Sequence, residues 1–434
     1  MFSRASGREM FARPVLPDCR ILEKFMDATA AADPIVIDSF AAFTLGIIVY
    51  FLGAKLTKRF SILSSYSIPE PVSGGLAAAF CALVIVVATG RTIEYDLAVR
   101  DFLLVYFFTT VGLNARVSDL ARGGPILAVM LALTLVFMFV QNGVGAAGAL
   151  LFGLPSQSGV LLGTASLIGG HGTAIAWGPT IASQYGVAGA AELGIASATV
   201  GLILASILGG PIAKYLITKN SLTASDGDQA GETHEAAATD ETRSAINHVE
   251  IMRCILWIHV AIVIGYSTHE SLLAAGLKLP LFVPCLISGI LLSNIVPLVF
   301  RKARAPAGTQ SMDLINEFSL SVFLSMSLMS MELWTLAGSA GVLAVTMLLQ
   351  AVAATVFIVL VVFRVMGRNY FAAVLSAGFA GFALGATPTA IANMKAVTQR
   401  YGPSPLAFIV LPLISAFFVD LANAFIIQWF LGLG

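Results

Sequence analysis

Residues 169–186 read GGHGTAIAWGPTIASQYG, a stretch rich in Gly, Thr and Ser among long runs of Leu, Val and Ile. The chain nearly repeats this phrase 216 residues later, as GATPTAIANMKAVTQRYG at 385–402. The two copies share seven of 18 positions in register, including TAIA and the closing Tyr-Gly. Internal symmetry of this kind indicates a chain built from two related halves.

The composition indicates that the repeated phrase lies in a membrane protein. Of all residues, 58% are hydrophobic and only 11% are charged, whereas soluble domains carry about 25% charge. Several apolar runs exceed the ~18 residues that mark a membrane span. The formal net charge is zero and no basic patch is interleaved with aromatic residues, so the sequence excludes a nucleic-acid-binding protein.

One long polar stretch divides twelve apolar segments into two groups. The segments are 35–54, 68–89, 102–113, 125–152, 158–181, 187–213, 251–268, 279–300, 314–331, 337–363, 370–394 and 404–433. The polar stretch is acidic and rich in Ser, Thr and Ala, which is typical of a flexible linker. The sequence therefore predicts two halves, 35–217 and 251–434, joined by a linker at 218–250.

The Lys and Arg residues indicate how many segments cross the bilayer, because cytoplasmic loops carry an excess of both. If segments 158–181 and 370–394 enter and leave on one side, sixteen Lys and Arg share one face of the membrane. Among the loops after residue 34, only Arg91, Arg100 and Lys278 then lie on the other face. If both segments cross, the split is 8 to 11 and the bias disappears. The sequence thus predicts ten spans, with the linker in the cytoplasm.

Five spans in each half place the second half upside down relative to the first. The second copy of the phrase carries Lys395 and Arg400 where the first has Pro179 and Gln184. The predicted fold is an all-α polytopic membrane protein of about ten transmembrane helices in two inverted five-helix repeats, each with a Gly-rich re-entrant hairpin. Inverted repeats of this kind are typical of secondary transporters.

Residues 1–34 form an N-terminal extension that contradicts the charge rule, because its five basic residues would lie outside the cell. They are Arg4, Arg8, Arg13, Arg20 and Lys24. The extension has no continuous apolar region and is therefore not a secretory signal peptide. Either it is a dispensable tail, or translation starts at Met26, which would remove all five charges.

The two hairpins, predicted at 155–186 and 370–402, account for polar sequence inside the membrane. Non-helical backbone occurs at that depth only when it is buried in protein or lines a wet cavity. Each hairpin then offers a helix N-terminus, whose free N–H groups and dipole favour an anion. The sequence predicts a carboxylate-binding site where the two tips meet. Its candidate residues are Gly170, His171, Gly172, Thr173, Thr387, Pro388, Thr389 and Asn393.

Two alternatives stay open for these residues. Small residues also permit close helix packing in membranes without any ligand. His171, the one His well inside an apolar segment, either braces the hairpin as a satisfied polar side chain or contacts the ligand as a proton-sensitive group.

Asp420 lies near the centre of the last apolar segment, where a carboxylate is costly and marks a candidate site. Asn423 follows at i+3 on the same helix face. A carboxylate, an amide and nearby backbone oxygens suit a hard cation such as Na⁺. Asp420 could instead contact a substrate ammonium or form a buried hydrogen bond with a neighbouring helix.

Two further segments in matching positions indicate a translocation path. Segment 102–113 is short, and its counterpart 314–331 is rich in Ser. Within them, Phe107 and Phe323 fall at the 216-residue spacing.

Five further polar residues have open roles. Gln141, Asn142 and Gln350 lie inside apolar segments and either line the path or join helices. Arg100 and Arg400 either reach the substrate from the ends of their segments or lie at the membrane surface.

An integral membrane enzyme is the alternative from a different class, and it requires a constellation of nucleophile, base or metal ligands. Asp420 and His171 are the buried candidates, and neither has an evident catalytic partner. The four Cys show no metal-binding spacing. The sequence predicts a transporter with no cofactor other than Na⁺ as a coupling ion.

Seven motifs carry a resemblance to a known family along most of residues 35–434. They are IPEPVSGG (68–75), RDFLLVYFFTTVGLNA (100–115), GGHGTAIAW (169–177), SLSVFLSMSLM (319–329), LGATPTAIANM (384–394), YGPSPLAFIVLP (401–412) and AFFVDLANA (416–424). The chain resembles the bacterial glutamate:sodium symporters. The resemblance implies Na⁺-driven uptake of L-glutamate across the inner membrane by a homodimer with an elevator-like movement. A symporter for another carboxylate, or one coupled to protons, is the alternative.

Overall fold

The computed structural model describes residues 33–65, 68–115, 124–224, 247–274, 279–299, 306–336, 338–417 and 419–433. Residues 1–32 and the central part of the linker, 225–246, lie outside these ranges. The sequence-based interpretations of the N-terminal extension and of the linker therefore stay predictions.

Helices make up almost all of the described chain, because a helix satisfies its own backbone groups where lipid offers no hydrogen bonds. In the first half they are α1 (Ser39–Arg59), α2 (Ser61–Ser65), α3 (Glu70–Thr89), α4 (Ala98–Asn114), α5 (Gly124–Leu151), α6 (Gly170–Tyr185) and α7 (Ala190–Asn220). In the second half they are α8 (His248–Ala274), α9 (Phe282–Val299), α10 (Gln310–Met329), α11 (Ala340–Phe357), α12 (Phe363–Val365), α13 (Tyr370–Leu384), α14 (Thr387–Tyr401), α15 (Pro405–Phe417) and α16 (Val419–Leu431). A π-helical turn, Ile358–Val362, joins α11 to α12.

A small sheet departs from the all-α prediction. Strand β1 (Ile35–Ile37) pairs in parallel with β2 (Ile93–Tyr95), with Ile35 opposite Ile93. Strands of three residues are too short to produce the alternation of polar and apolar residues that marks a strand in sequence. The sheet fastens the start of α1 to the segment that precedes α4.

The prediction of a multi-pass helical membrane protein is confirmed. Among the described residues, seven helical segments are long and apolar enough to cross a membrane: α1, α3, α5, α7, α8, α9 and the continuous stretch Ala340–Val365. The helices α13 and α14 have 15 residues each. At 1.5 Å per residue, each is about 22 Å long, which is short of the ~30 Å hydrocarbon core.

The helices pack into two bundles. We call α1, α3, α4, α8, α9 and α10 bundle A, and α5 to α7 with α11 to α16 bundle B. Helices of different bundles meet along fewer lines, chiefly α10 with α6, α4 with α15, and α9 with α16. The contact between the two bundles is therefore less extensive than the packing within each of them.

Bundle A interlocks the two halves of the chain. Helix α4 packs on α9, and α3 packs on α10, so each half supplies the partner of the other. These contacts are close: a Cβ added to Gly112 would lie 2.2 Å from the carbonyl oxygen of Leu286, and one added to Gly75 would lie 2.3 Å from Cβ of Leu328. Only glycine fits at either crossing, because no side chain can occupy that space.

Candidate functional site

The first copy of the repeated phrase begins at a break in a buried segment. A 3₁₀ turn, Ser156–Val160, is followed by irregular turns, and α6 starts at Gly170 with a φ of +66°. Glycine adopts this left-handed conformation without steric cost. From 158 to 178, every residue is buried except Gly169, Gly170 and Gly172. The chain is therefore accessible here only at the break.

The second copy repeats this arrangement with a different local structure. All residues of α13 are buried. The helix ends at Leu384, and α14 starts two residues beyond Gly385 with Pro388 in its first turn. From 370 to 390, only Ala386, Thr387 and Pro388 are accessible. They are the positions that the 216-residue spacing matches to the first break.

Two neighbouring residues in the middle of α5 form hydrogen bonds with the segments before the two breaks. Asn142 Oδ1 accepts hydrogen bonds from the backbone N–H and the hydroxyl of Thr164, at 2.8 and 3.0 Å, in the turns before the first break. Gln141 Nε2 donates to the carbonyl oxygen of Ala383, at 2.8 Å, just before the second break. Both breaks therefore lie at the same level of α5.

Helix α7 also contacts both breaks near its middle. His171 Nε2 shares a hydrogen bond of 3.0 Å with the hydroxyl of Thr199. A Cβ added to Gly201 would lie 2.4 Å from the carbonyl oxygen of Leu384. The same Cβ would lie 2.5 Å from Cδ2 of Leu167, two residues before the first break, so Gly201 lies against both broken segments. The two breaks thus converge near the middle of α7, inside bundle B.

The helices that leave the two breaks have uncapped N-termini. The residues before them, Gly169 and Ala386, make no side-chain hydrogen bond to the first turn. By contrast, Asp38 Oδ1 accepts from the N–H of Phe40 at 3.0 Å at the start of α1. First-turn N–H groups have no partner within their own helix. At the breaks, no capping side chain of the preceding residue occupies these donors.

Gly172 turns the first break towards bundle A. A Cβ added to it would lie 3.4 Å from Cζ of Phe323 and 3.7 Å from Cε1 of Phe107. The two rings contact each other, with 5.7 Å between their centroids. The pair predicted from the 216-residue spacing therefore meets where α4 and α10 cross, and the first break rests on it.

Three other candidate residues lie within bundle B. Asn393 Nδ2 donates to the carbonyl oxygens of Ala205 and Ala377, at 3.0 and 3.3 Å, so it braces α14 against α7 and α13. Thr389 is fully buried, and its hydroxyl has no hydrogen-bond partner among the described residues. Thr173 is 5% exposed.

Asn423 joins α16 to the first break. Its Nδ2 donates to the carbonyl oxygen of Thr164 at 3.1 Å, and a Cβ added to Gly169 would lie 2.8 Å from the same nitrogen. Asn423 is fully buried, yet its Oδ1 accepts no hydrogen bond from any described residue. Asp420, one turn earlier, is half-buried and has no hydrogen bond or ion pair with the residues that the structure covers.

The buried glutamines join helices. Gln350 Nε2 donates to the carbonyl oxygens of Gln141 and Leu162, at 2.7 and 2.9 Å. With the bond from Gln141 to Ala383, it connects α11, α5 and both breaks. Two of the three acceptors, the carbonyl groups of Leu162 and Ala383, lie beside the breaks, where a carbonyl without a donor is costly inside a membrane.

Two residues of the site were missed by reasoning from sequence. Thr164 lies inside the predicted first hairpin but looks like any small polar residue in a glycine-rich stretch. Thr199 lies in an apolar helix, and no pattern links it to His171. Among the described residues, no group of three or more His, Cys, Asp or Glu side chains could hold a metal ion. The oxygen atoms of Asp420 and Asn423 are the candidate cation ligands.

Membrane transporters keep irregular backbone at the centre of the bilayer because substrates and coupling ions bind there. Two breaks that converge inside bundle B, and that are accessible only at their tips, place this chain in that class. A family model described as sodium/glutamate symporter matches residues 35–403, which include both breaks. The chain belongs to the sodium/glutamate symporter family, which is a family of transporters and not of enzymes.

Curated relatives match the chain over nearly its whole length. It is 37% identical over 400 residues to the sodium/glutamate symporter of Escherichia coli (strain K12), covering 91% of this chain and 98% of that protein. The symporter of Shigella flexneri gives the same values. That of Haemophilus influenzae is 37% identical over 391 residues, covering 90% of this chain and 96% of its own.

Proposed function

We propose that this protein is a secondary transporter that imports L-glutamate together with Na⁺ by alternating access. The relatives reported above are named sodium/glutamate symporters, and the chain aligns with more than nine-tenths of their length. The observation that carries the proposal is the convergence of the two breaks at one level of α5 and α7. Substrate and ion sites of secondary transporters lie where such broken helices meet.

The proposed topology has ten spans in two inverted five-helix repeats. The seven long helical segments are joined by α4, by α10 and by α15 with α16. The packing of α4 on α9 and of α3 on α10 supports this arrangement, because the 216-residue spacing exchanges one pair for the other. The excess of Lys and Arg on one face supports a cytoplasmic linker. The family resemblance implies the inner membrane.

The two uncapped helix ends are the proposed binding site for the substrate carboxylates. Glutamate carries two carboxylates, and each break offers one helix N-terminus. Gly170 and Gly172 leave the backbone of α6 open at the first break, while Thr387 adds a hydroxyl at the second. A bulky side chain at the first tip would hide the N–H donors from the substrate.

The proposed Na⁺ site adjoins the first break. It uses the carboxylate of Asp420 and the amide oxygen of Asn423, which is buried without a hydrogen-bond donor. Carboxylate and carbonyl oxygens suit hard cations. Because Asn423 also bonds to Thr164, Na⁺ at this site would order the turns that lead into α6. Na⁺ and glutamate would then raise each other's affinity, as reciprocal coupling requires.

The proposed movement is a displacement of bundle B against bundle A. The limited contact between the bundles supports it, and the contact of Gly172 with the Phe107–Phe323 pair lies on the sliding surface. An elevator-like mechanism in a homodimer, as the family resemblance implies, completes the proposal.

The test is uptake of labelled L-glutamate by the purified protein in liposomes under an inward Na⁺ gradient. We expect accumulation with Na⁺ and none with K⁺ or proton gradients of equal size. If a proton gradient drives accumulation instead, the coupling ion is H⁺ and not Na⁺. If folded protein takes up another carboxylate but no glutamate, the proposed substrate is wrong.

A further inference from the structure

A separate cavity with charged side chains in its lining lies between the bundles, away from the breaks. It is a cavity of about 210 Å³ bordered by the starts of α4 and α7, the outer part of α6 and the end of α10. One water needs only ~15 Å³, so the cavity has room for a small organic solute. The C-terminal end of α7 leads into the linker, and the cavity lies at its N-terminal end. It therefore opens on the face opposite the linker, which is the external face in the proposed topology.

Arg100 presents a partly occupied guanidinium group to this cavity. Its Nε and Nη2 donate to one oxygen of Asp101, at 2.9 and 2.7 Å. Its Nη1 donates to no residue in the described part of the chain. The side chain of Arg100 is 18% exposed, whereas that of Asp101 is 66% exposed. Asp101 thus holds the guanidinium in place and leaves N–H donors for a second carboxylate, the group that arginine binds best.

Two carboxyl groups complete the charged lining. Glu192 lies in the first turn of α7, and Glu332 follows the end of α10. Partial burial raises the pKa of the Glu332 carboxyl above its ordinary value, and the Glu192 carboxylate raises that pKa further. Two carboxylates that repel each other in this way favour a cation between them.

We propose that this cavity is a vestibule that binds the headgroup of an α-amino acid before the substrate reaches the breaks. Arg100 receives the α-carboxylate, and Glu192 with Glu332 receives the α-ammonium. One guanidinium and two carboxylates match these two opposite charges. A dicarboxylate that has no ammonium matches only the guanidinium. The inference rests on the proposed function, because it assigns the vestibule the same substrate.

The position of the cavity connects it to the transport site. Arg100 belongs to bundle A and Glu192 to bundle B, while Glu332 follows the end of α10. A headgroup bound by all three therefore bridges the moving interface. Ile175, which lines the cavity, lies five residues beyond Gly170 on α6, or about 8 Å along the helix axis. The cavity and the first break therefore lie along one helix.

The test separates binding from transport in cells that express the full chain. Glu332→Gln and Glu192→Gln are each expected to raise the KM for L-glutamate about tenfold, which corresponds to about 1.4 kcal/mol, with Vmax within about twofold of the original. Inhibition by glutarate, which has both carboxylates but no ammonium, should not change in either variant. Arg100→Gln should weaken the binding of both L-glutamate and glutarate. Glu270→Gln, on α8 and outside the cavity, is the matched control. If Glu332→Gln and Glu192→Gln both leave the KM for L-glutamate unchanged, the proposal of a vestibule is wrong.

A labelling experiment tests the vestibule without transport. In protein with Cys19 and Cys81 replaced by Ser, Ser330→Cys on the cavity wall is treated with a membrane-impermeant maleimide; Cys254 and Cys285 are buried. L-glutamate and L-alanine are both expected to slow labelling at least threefold, and propionate is not. Protection in protein that does not take up glutamate would support the vestibule and reject the proposed function. Normal uptake without protection by any amino acid would reject the vestibule alone.

Discussion

Replacement of Gly172 by valine tests the contact between the first break and bundle A. A Cβ at this position would lie 3.4 Å from the ring of Phe323 and 3.7 Å from that of Phe107, so alanine fits. Valine adds two methyl groups about 1.5 Å beyond Cβ, on a side chain with one strongly preferred rotamer in a helix. A methyl directed at Phe323 would approach the ring to roughly 2 Å, and the tip would have to move away.

The magnitude follows from the cost of overpacking, which is typically about 1–3 kcal/mol. Such a cost lowers the population of the conformation in which the tip rests on the aromatic pair by about 5- to 150-fold. If transport passes through this conformation, Gly172→Val should reduce the initial rate of Na⁺-driven glutamate uptake at least about tenfold. Gly172→Ala should stay within about threefold of the original rate.

The assay is initial-rate uptake in proteoliposomes, normalised to the amount of reconstituted protein. Gly143→Val on α5 is the matched control, since nothing lies within 4 Å of a Cβ added there. Phe323→Leu combined with Gly172→Val should recover part of the rate, because the smaller side chain makes room. Normal uptake by Gly172→Val would refute the reasoning. Equal loss in Gly172→Ala would show that backbone freedom, not space, is required.

Three further predictions concern the ion site and the supports of the breaks. Asp420→Asn should raise the half-saturating Na⁺ concentration of glutamate uptake about tenfold or more, as expected for a lost charged ligand; an unchanged Na⁺ dependence would exclude Asp420 as a ligand. Gly201→Ala places Cβ 2.4 Å from a backbone oxygen and should cost about 1–3 kcal/mol, which lowers the thermal unfolding midpoint in detergent. Gly210→Ala on the same helix places its Cβ in open space and should leave the midpoint unchanged. Equal midpoints for the Gly201→Ala and Gly210→Ala proteins would contradict the close packing at Gly201. Gln141→Leu leaves the Ala383 carbonyl without its donor, at about 1–3 kcal/mol, and a midpoint equal to that of the unchanged protein would show that the bond is dispensable.

The positions of both breaks could be predicted from sequence because they depend on local chemistry. Gly170 permits a left-handed turn and Pro388 cannot continue a preceding helix, and the repeated phrase predicts that both copies break in the same way. The 216-residue spacing also matched Phe107 to Phe323, but it did not predict that their rings contact each other.

The partners of the polar side chains could not be predicted, because they are distant in the sequence. Nothing in the pattern around His171 indicates Thr199, and Gln141 bonds to a carbonyl group that exists as a free acceptor only because α13 ends there. The vestibule could not be predicted for the same reason, because its charged residues are distant in the sequence. Arg100, Glu192 and Glu332 look like three unrelated charges at helix ends until the packing of the bundles brings them to one cavity.

The interlocked packing of bundle A has a consequence for how the protein is made. Helix α4 ends at Asn114, and its partner α9 ends at Val299, about 185 residues later. At roughly 5–20 residues per second, the ribosome needs roughly ten to forty seconds to complete the partner. During that time the glycine-lined faces of α3 and α4 lie unpaired in the bilayer, exposed to lipid or to the insertion machinery. Neither half can complete bundle A alone, so halves expressed as separate chains should persist only when they are synthesised in the same cell.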